Sequence, residues 1–144
     1  MKNVVLFVLL QLLVTVANAD CFVERDDVAG VLRCDSGGKL TIKVECLETG
    51  KGIAARCNDL LSARDATFSI GKKVWSTDLI GGKTIRLAGF NKRKNDQDFH
   101  GLGHDLSEIV GAMKKGRDIT IEVNQETYVI SLTGFTKSYN QICL

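Results

Sequence analysis

The sequence predicts an α+β fold, in which a mainly antiparallel sheet of about seven or eight short strands is packed by one helix at about 105–115 and by a short C-terminal helix. Most segments alternate apolar and polar residues between glycine-containing turns, which is typical of half-buried antiparallel strands. One segment repeats its apolar residues at helical spacing instead. Five cysteines in a chain of 144 residues add disulfide staples to this prediction.

Residues 1–19 predict a secretory signal peptide that is cleaved before Asp20. Lys2 precedes an apolar run over residues 4–17, and Ala17-Asn18-Ala19 has the small-x-small pattern of a cleavage site. A membrane anchor is the alternative, but a run of about 14 residues is shorter than the roughly 20 that a spanning helix needs. We therefore expect residues 20–144 to form a single domain that is periplasmic or secreted, with no membrane span after cleavage.

The charge of the mature chain is nearly balanced. The full sequence has 19 Lys and Arg against 17 Asp and Glu, a formal charge of +2, which falls to +1 when Lys2 leaves with the signal peptide. General nucleic-acid and membrane-surface binders usually carry a larger excess of cations. We therefore expect a protein or an acidic envelope component as the partner, and no nucleic acid.

Five cysteines in an exported chain predict one or two disulfides, with one thiol left over. They can form two bridges in fifteen ways, and their spacing does not choose among these. The odd thiol is expected to be a buried, inert side chain, with intermolecular pairing as the alternative. A zinc site needs short paired spacings, whereas the first four cysteines are 11–13 residues apart. The disulfide candidates are Cys21, Cys34, Cys46, Cys57 and Cys143.

The first part of the mature chain is predicted to be strands joined by polar turns. The predicted strands are residues 28–33, 40–45, 53–57, 66–70, 73–76 and 83–90. Asn58 is expected to cap a short helix that reaches Arg64. Trp75 is the only tryptophan, and a residue of this kind is more often in the core than on a contact surface.

The last 40 residues give the clearest local pattern. Asp105 and Glu108 have the spacing of a capping box, and apolar residues then recur at helical spacing until Gly116 ends the helix. A hairpin at 118–132 and a closing helix at 135–142 follow.

The stretches GAMKKGRDITIEV and ISLTGFTKSYNQI resemble the C-terminal part of the invasion-associated locus B family of secreted bacterial proteins. Members of that family carry a helix ending in a basic Lys-Gly step, two strands, and an SL-x-GF stretch that opens a last helix. The resemblance covers about 40 of the 144 residues and consists of packing and turn residues. It implies a non-enzymatic protein that acts in host association or in the bacterial envelope.

The stretch IRLAGFN at 85–91, followed by DFHG at 98–101, more weakly resembles the middle of thermonuclease-type OB-fold proteins. Arg86 falls on the first catalytic arginine of those enzymes, whereas Asn91 and Lys94 fall on or near two of their carboxylates. An amide and a cation cannot supply the metal charge and the general base that carboxylates supply. The resemblance therefore implies a shared strand–turn–helix packing, and we expect no catalytic residue, metal or cofactor.

Both histidines, His100 and His104, lie in one glycine-containing segment with Asp98 and Asp105 nearby. Imidazole and carboxylate are ligands for zinc, copper or nickel, so a transition-metal site is an alternative. The glycines favour a flexible polar connection, and Asp105 has a competing role as helix cap.

The candidate binding residues are Lys92, Arg93, Lys94, His100 and His104. The three cations would form a basic patch with Lys72-Lys73 and residues 114–117 if the corresponding turns share one edge of the sheet. A run of cations is usually a solvated face, and the functional alternative is recognition of an acidic partner.

We therefore predict a non-enzymatic exported interaction protein, and two alternatives stay open. A secreted inhibitor or immunity protein would block an envelope-targeting enzyme through residues 91–104. A divergent nuclease would cleave DNA in the presence of metal and would lose that activity on Arg86→Ala. The sequence contains no G-x-S-x-G, H-E-x-x-H, P-loop or Rossmann pattern.

Overall fold

The computed structural model describes residues 21–26, 30–36, 38–47, 50–59, 62–89 and 104–143. The predicted signal peptide lies outside these residues. Within them the chain forms nine strands and two helices. Their bounds are β1 Cys21–Arg25, β2 Gly30–Asp35, β3 Leu40–Leu47, β4 Gly50–Cys57, β5 Asp65–Ile70, β6 Lys73–Ile80, β7 Thr84–Gly89, α1 Leu106–Lys115, β8 Asp118–Val123, β9 Glu126–Ser131 and α2 Phe135–Cys143.

All nine strands belong to one sheet in the order β1-β2-β3-β4-β7-β6-β5-β8-β9. Each neighbouring pair is antiparallel, and β4 pairs with β7 while β5 pairs with β8. The backbone N–H of Cys21 donates to the carbonyl of Thr133 at 2.8 Å. The sheet is therefore curled, so that its first strand meets the chain just after its last.

One face of the sheet forms the core. Trp75, Phe68, Ile121 and Tyr128 are cross-strand neighbours in one row over β6, β5, β8 and β9, and the first three are buried. Phe68 stacks on Trp75 with ring centroids 5.1 Å apart. Other core residues include Leu32, Ile42, Val44, Ile53, Ile85 and Leu87. Burial of each such side chain contributes about 1.5–3 kcal/mol.

The two helices contact different strands. α1 contacts β4 and β7, and its buried residues are Ile109, Val110 and Met113. α2 contacts β1, β2 and β3, and it buries Phe135 and Tyr139, whose rings stack with centroids 5.7 Å apart. The helices also contact each other. No helix among the described residues has the length and apolar content needed to cross a bilayer.

The start of α1 forms half of the predicted capping box. The Asp105 carboxylate accepts from the backbone N–H of Glu108 at 2.9 Å. The Glu108 carboxylate does not return this bond in the described structure; it accepts instead from Nε1 of Trp75 at 3.2 Å. Glu108 thus ties α1 to β6 and gives the buried indole its hydrogen bond.

Replacing Asp105 with alanine should lower the free energy of unfolding by about 1 kcal/mol, because the first turn loses its side-chain cap. Urea melts of the mature chain measure this loss. Ser107→Ala is the matched control, because Ser107 is exposed on the same turn and should change stability by less than about 0.5 kcal/mol. Equal losses for both variants would contradict a capping role.

The β8–β9 hairpin has a tight two-residue turn. Asn124 and Gln125 have φ angles of 54° and 65°. Positive φ at both central residues is the type I′ geometry, whose twist matches that of the flanking strands. The hairpin predicted at 118–132 is confirmed.

Two disulfides are present, as predicted. Cys21 is joined to Cys34 across β1 and β2, and Cys46 of β3 is joined to Cys143 at the end of α2. The remaining thiol, Cys57, is buried, which is the prediction made for the odd cysteine.

The strand pattern differs from the prediction at two places. β1 is absent from the prediction, because CFVER lacks clean alternation of apolar and polar residues. It forms a strand because it pairs with β2. The helix predicted from Asn58 is not seen in the described residues of that segment, where 58–59, 62 and 64 form bends. Asn58 instead bonds to the β2–β3 turn, with its side chain donating to the Gly38 carbonyl and its backbone N–H to that of Lys39.

Candidate functional site

The described residues include one of the five predicted binding residues. Lys92, Arg93, Lys94 and His100 lie outside them. His104 is half-buried at the entrance to α1, with Nε2 2.7 Å from the carbonyl oxygen of Ser76 and its ring edge-on to Phe68. Its carbonyl accepts from the N–H of Gly89 at 2.9 Å. His104 therefore packs between the start of α1 and the sheet.

Six exposed cations lie around one end of the sheet, which we call the basic end. They come from the β5–β6 turn, the last turn of α1, the connection to β8 and the first turn of α2. The residues are Lys72, Lys73, Lys114, Lys115, Arg117 and Lys137. One acidic residue, Asp118, lies in the same segments. The predicted cations on the two turns are thus part of a larger cationic surface.

Strand register and close packing bring the two basic turns together. Ser69 of β5 pairs with Thr120 of β8, so the end of β5 and the start of β8 lie at the same edge. A Cβ atom added to Gly116 would lie 2.5 Å from Cγ2 of Ile70, so this approach requires glycine. The connection between α1 and β8 therefore packs against the residue that precedes the β5–β6 turn.

Lys114 joins the two helices at the basic end. Its Nζ donates to Oδ1 of Asn140 at 3.0 Å and lies 5.0 Å from the centre of the Tyr139 ring, within cation–π distance. The Thr136 hydroxyl donates to the Lys114 carbonyl at 3.4 Å. Lys137 follows Thr136, so α2 adds a further charge to the same end.

The opposite end of the sheet also carries exposed cations, but carboxylates accompany them. The N–H groups of Cys57 and Asn58 donate to the carbonyls of Lys83 and Lys39 at 2.8 and 3.1 Å, which draws three strand ends together. The exposed cations there are Lys39, Arg56, Arg64 and Lys83, and the exposed carboxylates are Asp59, Asp65, Glu122 and Glu126. Opposite charges offset one another at this end, so the positive potential of the described chain is strongest at the basic end.

An open groove of about 540 Å³ lies beside the basic end. Its lining includes Arg117, Asp118, Val129, Ser131 and Thr133, so it follows the end of β9 and the start of β8. Val129 is 57% exposed and lies on the outer face of β9. The groove is thus lined by hydroxyl-bearing residues, an exposed valine and one residue of each charge, Arg117 and Asp118.

Two residues that could carry chemistry are buried. Arg86 is 1% exposed on β7, so its guanidinium group is not presented on the surface of the described chain as a phosphate-binding arginine would be. Burial raises the pKa of the Cys57 thiol, which disfavours the reactive thiolate. Among the residues that the structure describes, no three His, Cys, Asp or Glu side chains are grouped to hold a metal ion.

Sequence reasoning found the basic turns but not the groove. Lys72-Lys73 and residues 114–117 stand out as charge runs, yet their meeting depends on the pairing of β5 with β8. The period of two places Val129 on the opposite face from Ile130, but both residues are apolar, so the sequence does not show which of the two faces is exposed.

Comparisons with known proteins find no match to a family model, to a curated protein or to a solved structure.

Proposed function

We propose that this chain is a non-enzymatic exported interaction protein, periplasmic or secreted, whose basic end binds an acidic partner. The concentration of six exposed cations beside one acidic residue is the observation that carries this proposal. A surface of one sign attracts ligands of the opposite sign and accelerates their association. The partner classes that fit are an acidic cell-wall polymer, lipopolysaccharide or an acidic protein of the envelope or host.

The two disulfides support the exported location. Cys21–Cys34 and Cys46–Cys143 would be kept reduced in a bacterial cytoplasm, whereas they persist in the periplasm and outside the cell. The apolar segment at 1–19 has the features of an export signal. The C-terminal resemblance to the invasion-associated locus B family agrees with the same location and with an interaction role.

Reversing three charges at the basic end should weaken binding to polyanions at least tenfold at low salt, a change of about 1.4 kcal/mol in binding free energy. The test variant carries Lys72→Glu, Lys115→Glu and Arg117→Glu. Binding of the mature chain to purified lipopolysaccharide, teichoic acid and poly-glutamate is measured by biolayer interferometry. Wild-type binding should also fall steeply between about 50 and 200 mM salt, because exposed charges are screened.

The opposite end of the sheet provides a matched control. Lys39→Glu, Arg56→Glu and Lys83→Glu change the net charge by the same amount and should reduce binding much less. Equal losses in both variants would show attraction by net charge alone and would contradict the proposal. Failure of all three polyanions to bind the wild-type chain would also contradict it.

A further inference from the structure

The outer face of β6, β5, β8 and β9, which is turned away from the core, carries a row of cross-strand neighbours with a valine at each end. Val74 pairs with Ser69, Ser69 with Thr120, and Thr120 with Val129. Val74 is 67% and Val129 57% exposed, the largest fractions among the large apolar side chains that the structure describes. The serine and the threonine between them are small and half-buried. Two exposed valines thus lie three strand spacings apart, about 14 Å, with hydroxyl-bearing residues between them.

This pattern is complementary to itself, as an interface with twofold symmetry requires. Read across the strands, the row is Val-Ser-Thr-Val, and the next outward row is Ser76, Thr67, Glu122 and Thr127. A twofold axis parallel to the strands, between β5 and β8, exchanges the two ends of each row. With a second copy face to face about that axis, Val74 of each copy lies opposite Val129 of the other. Both exposed valines of each copy are then removed from water.

The charges at the basic end of this face fit the same axis. Asp118 pairs with Ser131, two residues beyond the valine row. The β5–β6 turn, Gly71-Lys72, lies equally far along the strands, because Ile70 pairs with Lys73. The axis therefore places the turn of one copy over Asp118 and Ser131 of the other, which line the groove. Lys72 of each copy then lies beside Asp118 of the other, so opposite charges meet on both sides of the axis.

The carboxylates distinguish this axis from one perpendicular to the strands. A perpendicular axis through the valine row also places valine on valine, but it sets Glu122 opposite Asp118 of the second copy, and like charges so placed repel. The parallel axis sets Glu122 opposite Thr67 instead, and it sets the cross-strand pair Asp65 and Asp78 opposite the β8–β9 turn. No two carboxylates of the described strands then face each other across the parallel axis.

Most cations of the basic end lie away from this face. Lys73 and Arg117 are opposite buried residues of the neighbouring strands in the register, so they belong to the core-facing side. The others, Lys114, Lys115 and Lys137, belong to α1 and α2, whose buried residues join the core. Of the six cations, only Lys72 therefore borders the outer face.

We infer that this outer face is an interface between two copies of the chain, related by a twofold axis that runs parallel to the strands between β5 and β8. Four strands about 4.8 Å apart and six residues of about 3.4 Å each give a face of roughly 300–400 Å² per copy. A standard stable complex buries about 800 Å² per partner, so this interface is smaller. The dimer is therefore weak and reversible, with a dissociation constant of about 10–500 μM.

The parallel axis leaves the basic ends of both copies on the same side of the dimer. A polyanion long enough to reach both ends binds the dimer more tightly than a single copy, because its second contact is intramolecular. This consequence rests on the proposed function, whereas the dimer itself does not.

Sedimentation velocity of the mature chain, from about 10 μM to about 1 mM in about 0.15 M salt, tests this inference. We expect the sedimentation coefficient to rise with concentration towards that of a dimer. Val129→Asp puts a carboxylate opposite Val74 of the second copy, where it loses water without gaining a partner, so association should weaken at least tenfold. Leu47→Asp is the matched control, because Leu47 is an exposed apolar residue of β3, outside this face. Its dissociation constant should stay within about twofold of wild type.

Exchanging two charges tests the direction of the axis. Lys72→Asp and Asp118→Lys should each weaken association about threefold to tenfold, because each places like charges side by side. The double variant should recover to within about twofold of wild type. Under a perpendicular axis Asp118→Lys would strengthen association, since the new lysine would face Glu122. Strengthening in that variant, or no recovery in the double variant, would overturn the inference.

Amide spectra of the ¹⁵N-labelled wild-type chain provide a readout that does not depend on any variant. Over the same concentration range, the amides of Val74, Thr120 and Val129 should shift, whereas those of β3 should not. A chain that stays monomeric at about 1 mM would overturn the inference, and so would equal weakening by Val129→Asp and Leu47→Asp.

The inference and the proposed function fail separately. Polyanion binding measured at about 1 μM chain, far below the expected dissociation constant of the dimer, reports the basic end of a single copy. Sedimentation uses no polyanion, so it reports the interface alone.

Discussion

Replacing Phe135 with alanine should lower the free energy of unfolding by about 3–5 kcal/mol, the cost of removing a fully buried phenyl ring and leaving a cavity. Phe135 is 1% exposed and opens α2, where its ring stacks on that of Tyr139. Urea denaturation of the mature, oxidised chain, followed by far-ultraviolet circular dichroism, measures the loss.

Lys137→Ala is the control for this prediction, because Lys137 is exposed two residues later on the same helix. Its effect should stay within about 0.5 kcal/mol. A loss below about 1 kcal/mol for Phe135→Ala would be far under the cavity cost. That result would show that Phe135, the first residue of α2, is not buried in the core.

Removing the Cys46–Cys143 disulfide by substituting both cysteines with alanine should cost about 4.7 kcal/mol, the value expected for a loop of about 100 residues. The bridged residues are 97 apart in sequence, so the unfolded chain without this bridge has much greater conformational freedom. The Cys21–Cys34 bridge spans only 13 residues, and its removal should cost about 3 kcal/mol. Denaturant melts of both double variants compare the two losses directly.

Cys57→Ala controls for the loss of a cysteine side chain without the loss of a bridge. Cys57 is buried and unbridged, so this substitution should cost about 1 kcal/mol. The prediction would be wrong if the double variant at Cys46 and Cys143 lost no more stability than the one at Cys21 and Cys34. That outcome would mean that the bridges stabilise the protein through packing in the native state rather than by restricting the unfolded chain.

Local patterns were sufficient to predict most elements of the last 40 residues. Asp105 caps α1, and residues 118–123 alternate with a period of two; both features are properties of near neighbours in sequence. The described residues of the helix predicted at Asn58 are not helical, and the Asn58 side chain and N–H instead have partners in the β2–β3 turn, 20 and 19 residues away. A capping residue in the sequence does not show which backbone groups will reach it in the fold.

The candidate site could be predicted only in part. The cations on the β5–β6 turn and between α1 and β8 were visible as charge runs, but the additional contribution of Lys137 depends on the packing of α2 against Lys114. The groove beside Val129 depends on the pairing that brings the start of β8 to the end of β9. Neither feature follows from residues that are close in sequence.

By itself the sequence determined a mainly antiparallel sheet, two C-terminal helices and disulfide bonding, because periodicity, caps, turns and cysteine number act over a few residues or through composition. Only the tertiary structure decided that Cys46 bonds to Cys143, that β4 pairs with β7, and that the basic turns meet at one end of the sheet. Those features arise from the curl and register of the whole sheet, which set contacts between residues far apart in the chain.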